Sequence, residues 1–227
     1  MDQVTEVKAR FPRLKKIHFI GHSNGTYILA SALERYRTLK VGRVAFAGSV
    51  VRRNFPWDDY VGKGRVDQVR NYVGSADWVV GLFPKLFELP GFRALNPDIG
   101  SAGFDGFENV SVKDGETQFI SGEHSCALNP ANRASIVSFI MEGTITNVPG
   151  LLAESHPEPL GTISRVCWIV WLLIVAVLWL IFWKLPAGIL AVWKRVPGGH
   201  KVPAGGTISW ISRIALVAIL WLLLNTV

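Results

Sequence analysis

Cysteine is scarce in this chain, two residues in 227. Cys167 lies inside an uncharged apolar run, so a bond to Cys126 is not expected, and no His/Cys spacing of a metal site is present. Neither a resident metal nor another cofactor is called for. The opening residues MDQVTEVKARF lack the apolar core of a secretory leader. No Lys/Arg-rich run with interleaved aromatics marks a nucleic-acid surface, so no nucleic-acid partner is expected. Internal repeats and low-complexity tracts are absent too, which leaves an ordinary folded domain with an appendage.

What the chain does have is apolar surplus, unevenly placed. The hydrophobic fraction is 49% and the mean hydropathy +0.29, and seven of the nine tryptophans lie beyond Gly161. Charge divides in the same way. Residues 1–150 hold 18 Lys+Arg against 15 Asp+Glu, whereas residues 151–227 hold 6 against 2. The net charge of +7 therefore comes largely from basic residues flanking apolar segments, as membrane spans carry them.

The first 144 residues read as alternating strands and helices. Residues 2–11 have the spacing of a short amphipathic helix, with Asp2 as its N-cap. Lys15 to Ile20 reads as a buried strand that ends at Gly21. From Asn24, Ile28, Leu29, Ala32, Leu33 and Tyr36 share a helical face. Arg43–Val51 and Val69–Val73 read as two more strands, and residues 79–88 as a helical turn or two around Pro84. A Gly/Pro/Asp-rich loop covers roughly 90–107, and a strand or hairpin turning at Asp114-Gly115 lies in 109–120. Asn129-Pro130 opens a helix to about Met141. This order predicts a parallel sheet covered on both faces, a three-layer α/β domain over residues 1–144.

Residues 145–162 read as a Pro/Gly-rich linker to a membrane anchor over 163–227. Val166–Trp183 is 18 residues without a charge between Arg165 and Lys184, enough to cross a core of about 30 Å. Thr207–Val227 is a second apolar stretch, interrupted by Arg213, which can snorkel. Two spans are thus expected, at about 165–184 and 207–227, with a lipid bilayer as partner. The alternative is a pair of buried core helices, against which stands the lack of a polar face. Between the spans lie Lys184, Lys194, Arg195 and Lys201 and no acid, which directs that loop to the cytoplasm. That orientation puts the domain outside although no leader is present to export it. The alternative lays Ala187–Trp193 in the headgroup interface, and the side of the domain stays open.

The chemistry-bearing motif is Gly21-His22-Ser23-Asn24-Gly25, a G-x-S-x-G at the join of an apolar strand and an amphipathic helix. A serine there occupies a tight, strained turn, and glycines two positions away leave room for it. The helix N-terminus that follows aims free N–H groups at a reacting carbonyl. The plain alternative is a Gly-rich strand-to-helix turn.

IHFIGHSNGTYILASAL resembles the nucleophile elbow of the α/β-hydrolase family, in its esterase and lipase branch. The resemblance implies a Ser–acid–His triad in that chain order. Asp77, in NYVGSADWVV, and His124, in FISGEHSCAL, stand 54 and then 47 residues on, each after a strand-like run. It further implies that His124 takes the Ser23 proton, that Asp77 orients His124, and that the backbone N–H of Asn24 is one oxyanion donor. Asp98, Asp105 and the Asp58-Asp59 pair are the competing acids; His18, His22, His156 and His200 are the competing bases. Cys126 reads as a packed side chain and not as a nucleophile. Trp57, Trp78, Phe83 and Phe87 are read as core more readily than as an acyl site.

The function so implied is a membrane-anchored serine hydrolase cleaving carboxylic esters, lipid esters among them. Alternatives are an acyltransferase or thioesterase with the same triad, or an inactive membrane scaffold that keeps the fold. In one respect the chain departs from the family pattern. Only one helix precedes the elbow strand, so either the family's earlier strands, with the loop giving a second oxyanion N–H, lie upstream of Met1, or the fold is an N-terminally truncated remnant with an exposed sheet edge, and the first is the expectation. An exposed apolar edge strand would otherwise invite aggregation.

Overall fold

The computed structural model describes residues 6–7, 9–14, 16–109, 111–113, 119–146, 152–153, 156–184 and 214–219. The chain forms two compact units, residues 1–165 and 166–227.

In the first unit, β1 (Phe19–His22) leads through Ser23 into α1 (Asn24–Arg35). Next come β2 (Val41–Ala47), α2 (Trp57–Gly62), β3 (Val66–Tyr72) and α3 (Trp78–Leu82), the last followed by a 3-10 turn at Pro84–Glu88. Beyond these lie α4 (Ala102–Asp105), β4 (Val112–Lys113), β5 (Phe119–Ile120), a 3-10 turn at Cys126–Leu128, α5 (Pro130–Glu142), β6 (Leu152–Ala153) and α6 (Leu160–Arg165). The main sheet has the order β1-β2-β3-β4, and every pairing in it is parallel.

β2 carries the sheet. All its residues except Arg43 are buried, as an inner parallel strand covered on both faces requires. Its alternate side chains feed two cores. Val44 and Phe46 join Leu29 and Leu33 of α1 and Trp57 of α2. Ala45 and Ala47 face Ile136, Phe139 and Ile140 of α5. Small residues on that face let α5 come close, and Arg43 fastens its C-terminal end by donating from Nη1 to the carbonyls of Ile140 and Met141, both at 2.9 Å. Phe46 is fully buried with its ring 5.5 Å from Trp57 and 6.5 Å from Phe19. Truncating a ring in such a cluster costs about 3–5 kcal/mol.

Three expectations change. The first strand runs Phe19–His22 and not Lys15–Ile20, and it is not buried throughout: Ile20 is 52% exposed. The reason is position, since among the described residues β1 pairs with β2 alone and lies at the edge of the sheet. The expected hairpin over 109–120 divides instead. Val112 joins the α1 core and β4 extends the main sheet, whereas Ile120 joins the α5 core and β5 pairs antiparallel with β6. The Asp114-Gly115 turn lies outside the described residues. The third change concerns the linker. Part of it is built into the first unit: β6 pairs with β5, His156 binds Ser75, and Leu160 of α6 packs with Val80 and Phe104.

The helix expected after Asn129-Pro130 is α5, which Gly143 ends in the left-handed region at φ +77°. Residues 79–88 are helical on both sides of Phe83, as α3 and the Pro84–Glu88 turn. Of the expected N-terminal helix, residues 6–7 and 9–10 are helical.

In the second unit α7 (Cys167–Trp179) continues as a π turn over Leu180–Lys184. It is apolar around much of its circumference, with Leu172, Leu173 and Leu180 more than half exposed. Among the described residues no helix is long and apolar enough to cross a membrane. Of the second expected span, residues 214–219 are described and helical.

Candidate active site

Ser23 caps the join of β1 and α1 with φ +52° and ψ −126°, the one positive-φ non-glycine among the described residues. A Cβ in this region meets backbone oxygen, a strain of about 1–3 kcal/mol that surrounding structure must hold. Part of that hold is visible. Ser23 N–H donates to Ala47 O at 3.0 Å, and Thr26 donates to Ser23 O from both its N–H and its Oγ1. Thr26 Oγ1 in turn accepts from Val50 N at 3.2 Å, so the buried Thr26 joins the elbow to the loop after β2. The two motif glycines differ. A Cβ on Gly21 would stand 2.9 Å from the Phe19 ring and 3.1 Å from the Phe46 ring, whereas one on Gly25 would meet nothing within 4 Å. Close packing therefore requires Gly21 but not Gly25, which corrects the symmetrical role expected for them.

Asp77 sits just past β3, fully buried, and caps α3 by accepting from Val80 N at 3.0 Å. Its loop is sewn to the chain ahead of His124. Ser75 N–H donates to Ile120 O at 2.9 Å and Ala76 N–H to Gly122 O at 2.8 Å, while Ser75 Oγ accepts from Gly122 N. This sewing brings Asp77 and His124 together across 47 residues. His124 Nδ1 lies 2.9 Å from Asp77 Oδ2 and 3.1 Å from Oδ1. With Nδ1–H donated to the carboxylate, Nε2 carries the free lone pair, the tautomer a general base needs. The His124 ring rests on Gly48, where a Cβ would fall 2.7 Å from both Cε1 and Nδ1. Gly48 is also at φ +54°, so the position favours glycine on two grounds.

Ser23 and the Asp77–His124 pair both border the C-terminal end of β2. Ser23 bonds Ala47, and His124 lies over Gly48, the next residue. The His22 and His124 ring centroids are 4.8 Å apart. No hydrogen bond between Ser23 Oγ and His124 is found among the described residues; such bonds commonly tighten only with substrate. Asn24, half of the expected oxyanion site, is the exposed first residue of α1.

The competing residues are engaged elsewhere. Asp98 pairs with Arg52 at 2.9 Å, Asp105 with Lys85 at 2.8 Å, and Asp59 with Lys63 at 3.1 Å. Asp58 accepts from Ser111. His18 Nδ1 accepts from Arg43 N at 2.8 Å, and His200 lies outside the described residues. Cys126 is buried against Ile120 O, and burial, with the Asp77 charge behind it, pushes its thiol up to about 11. It stays protonated near neutrality. Neither cysteine forms a disulfide, and among the described residues no His/Cys/Asp/Glu cluster can hold a metal.

A cleft of about 430 Å³ opens beside His124, lined by Trp78, Val79, Glu123, His124, Ser125, Cys126 and Asn129. Ser23 is not in its wall. Of the four aromatics, Trp57 and Phe87 are buried core, while Trp78 stands 46% exposed in the cleft wall, edge-on to Phe83 at 6.3 Å.

Thr26, Gly48 and Ser75 shape this site without having been singled out for it, and His156, weighed as a competing base, instead braces the Asp77 loop. His156 Nδ1 donates to Ser75 O at 2.7 Å, and its ring stacks 3.6 Å from that of Phe104 with the planes 3° apart. Its signal lies in contacts 81 and 52 residues away, which no local pattern carries.

The described unit is thus a parallel α/β sheet with a strained serine and an Asp–His pair at one end of its central strand. No protein-family model, curated protein or solved structure was found to match the chain.

Proposed function

We propose that this chain is a membrane-attached serine hydrolase of carboxylic esters, with Ser23 as nucleophile, His124 as base and Asp77 as orienting acid. The observation that carries the reading is the Ser23 backbone, φ +52° and ψ −126°, at the end of β1, with the Asp77–His124 pair beside the end of the neighbouring β2. Strain of this kind persists where it serves a site. In the proposed reaction His124 Nε2 accepts the Ser23 proton as Oγ bonds the ester carbonyl carbon. The Asn24 N–H, at the positive end of α1, donates to the oxyanion. Collapse breaks the bond to the alkoxy oxygen, which leaves with the proton from His124 as an alcohol. Water then attacks the acyl-serine, again giving its proton to His124, and the acid departs while Ser23 Oγ recovers a proton. Asp77 keeps hydrogen on Nδ1 throughout. No metal and no cofactor is required.

The uncharged run Val166–Trp183 and the exposed leucines of α7 support attachment of the second unit to a bilayer. That placement makes lipid esters the natural substrate class. A fluorophosphonate probe tests the chemistry in the full chain. Labelling is expected in wild type, lost in Ser23→Ala and sharply reduced in His124→Ala. An unlabelled wild type would leave the inactive scaffold as the reading. Product analysis with an added alcohol separates hydrolysis from acyl transfer, and carbonate extraction of membranes tests attachment.

A further inference from the structure

His22 is the elbow residue to which the ester-cleaving scheme gives no task. Side chains alternate along β1, and the register sets His22 beside Ala47 and Ile20 beside Ala45. Ala45 and Ala47 face the α5 core, so the His22 imidazole rises on the side of the sheet opposite α1. That side carries the Cys126 turn and the His124 loop. There His22 Nε2 stands 3.3 Å from His124 O and 3.3 Å from Ser125 Oγ. A carbonyl only accepts, so the tautomer with hydrogen on Nε2 fits the site, with the serine hydroxyl as a second partner. The residue before the nucleophile therefore grips the backbone of the base.

Other contacts restrain other motions of His124. Asp77 fixes ring rotation through Nδ1, Gly48 supports the ring from beneath, and Cys126 N–H donating to Glu123 O at 2.9 Å shapes the turn. Ser75 and Ala76 tie the start of the loop on the Asp77 side, and His22 bonds it from the β1 side. In a proton relay the Ser23–His124 separation governs transfer, and small displacements there lower rates steeply.

We propose that His22 is a positioning residue for the base, its Nε2–H fixing the distance between the Ser23 elbow and the His124 loop; the catalytic part rests on the hydrolase reading. The full chain in detergent micelles tests it, with wild type, His22→Leu, His22→Gln and Ser23→Ala compared on a p-nitrophenyl ester. A glutamine amide nitrogen reaches about as far as imidazole Nε2 and can donate to the same carbonyl. For His22→Leu we expect kcat to fall roughly tenfold with KM within about twofold, the signature of a lost transition-state alignment. Amide exchange across residues 123–126 should rise about tenfold in that variant, at an unchanged melting temperature. His22→Gln should return both readouts to within about threefold of wild type. The proposal is overturned if His22→Leu leaves kcat or exchange at the wild-type level, or if glutamine is as poor as leucine. A wild type no faster than Ser23→Ala would overturn the hydrolase reading and the catalytic role with it, while the exchange comparison would still decide whether His22 holds the loop.

Discussion

The two sides of the candidate site are built by different means. On the serine side, one residue takes a rare backbone conformation held by Thr26, three residues on, and by Ala47, with Val50 bonded to Thr26 behind it. On the acid–base side no comparable strain is present at Asp77 or His124, and position comes from bonds that cross 45 to 81 residues of chain. Ser23 is set largely by its own backbone geometry, whereas tertiary contacts set Asp77 and His124. The first arrangement leaves a mark in a short motif. The second leaves almost none.

Substitutions can break this contrast at several depths. Asp77→Asn strikes the long-range side hardest. An amide at 77 can still accept from Val80 N, but it can turn its NH2 to His124 Nδ1 and favour the wrong tautomer. Ester turnover is expected to fall by about 10³–10⁴ in initial-rate assays. A loss smaller than about tenfold would mean that Asp77 does not orient the base.

Gly48→Ala comes next. Its Cβ would press within 2.7 Å of the His124 ring at a φ of +54°. We expect kcat to fall roughly a hundredfold, with stability lower by about 1–2 kcal/mol in urea melts. Lost stability at full activity would show that the ring does not depend on this surface.

The serine side responds in the opposite sense. Ser23→Gly should abolish turnover yet raise stability by about 0.5–1 kcal/mol relative to Ser23→Ala, because glycine enters φ +52° without a Cβ penalty. If the glycine variant melts at or below the alanine variant, the turn stores no strain. The smallest effect is expected at Cys126. With its thiol pushed up to about 11, the thiolate appears only as pH rises toward that value. At pH 8 about one molecule in a thousand carries it, so iodoacetamide should leave the Cys126 peptide unmodified by mass spectrometry and activity unchanged. Rapid alkylation at pH 8 would contradict the burial described for it.

The same contrast explains what the sequence disclosed. The strand–Ser23–helix join is written in adjacent residues, as is the Pro130 start of α5. Asp77 and His124 were legible as candidates because each follows a strand, and the resemblance implied their pairing, but the bonds that hold the two loops together became visible only in three dimensions. Thr26 and Gly48 carry no local mark of their roles, since each acts on a loop distant in the chain. The exposure of Ile20 follows from β1 lying at an edge, and a run of apolar letters reads alike at an edge and in the middle of a sheet. Residues 145–162 were misleading for a physical reason. Proline and glycine mark breaks in regular structure, and a break docked on a domain has the same composition as one that swings free.

The docked stretch has a practical edge. His156 closes over Ser75, two residues before Asp77, and α6 lies against α3, the helix Asp77 caps. A protease cut or gene boundary placed at residue 144 would strip that cover from the acid loop and leave Ser75 O, now bonded, without its donor. A boundary after Arg165 would keep it. The folded fragment that survives excision is therefore expected to be the longer one, and limited digestion should find its first stable cut beyond α6.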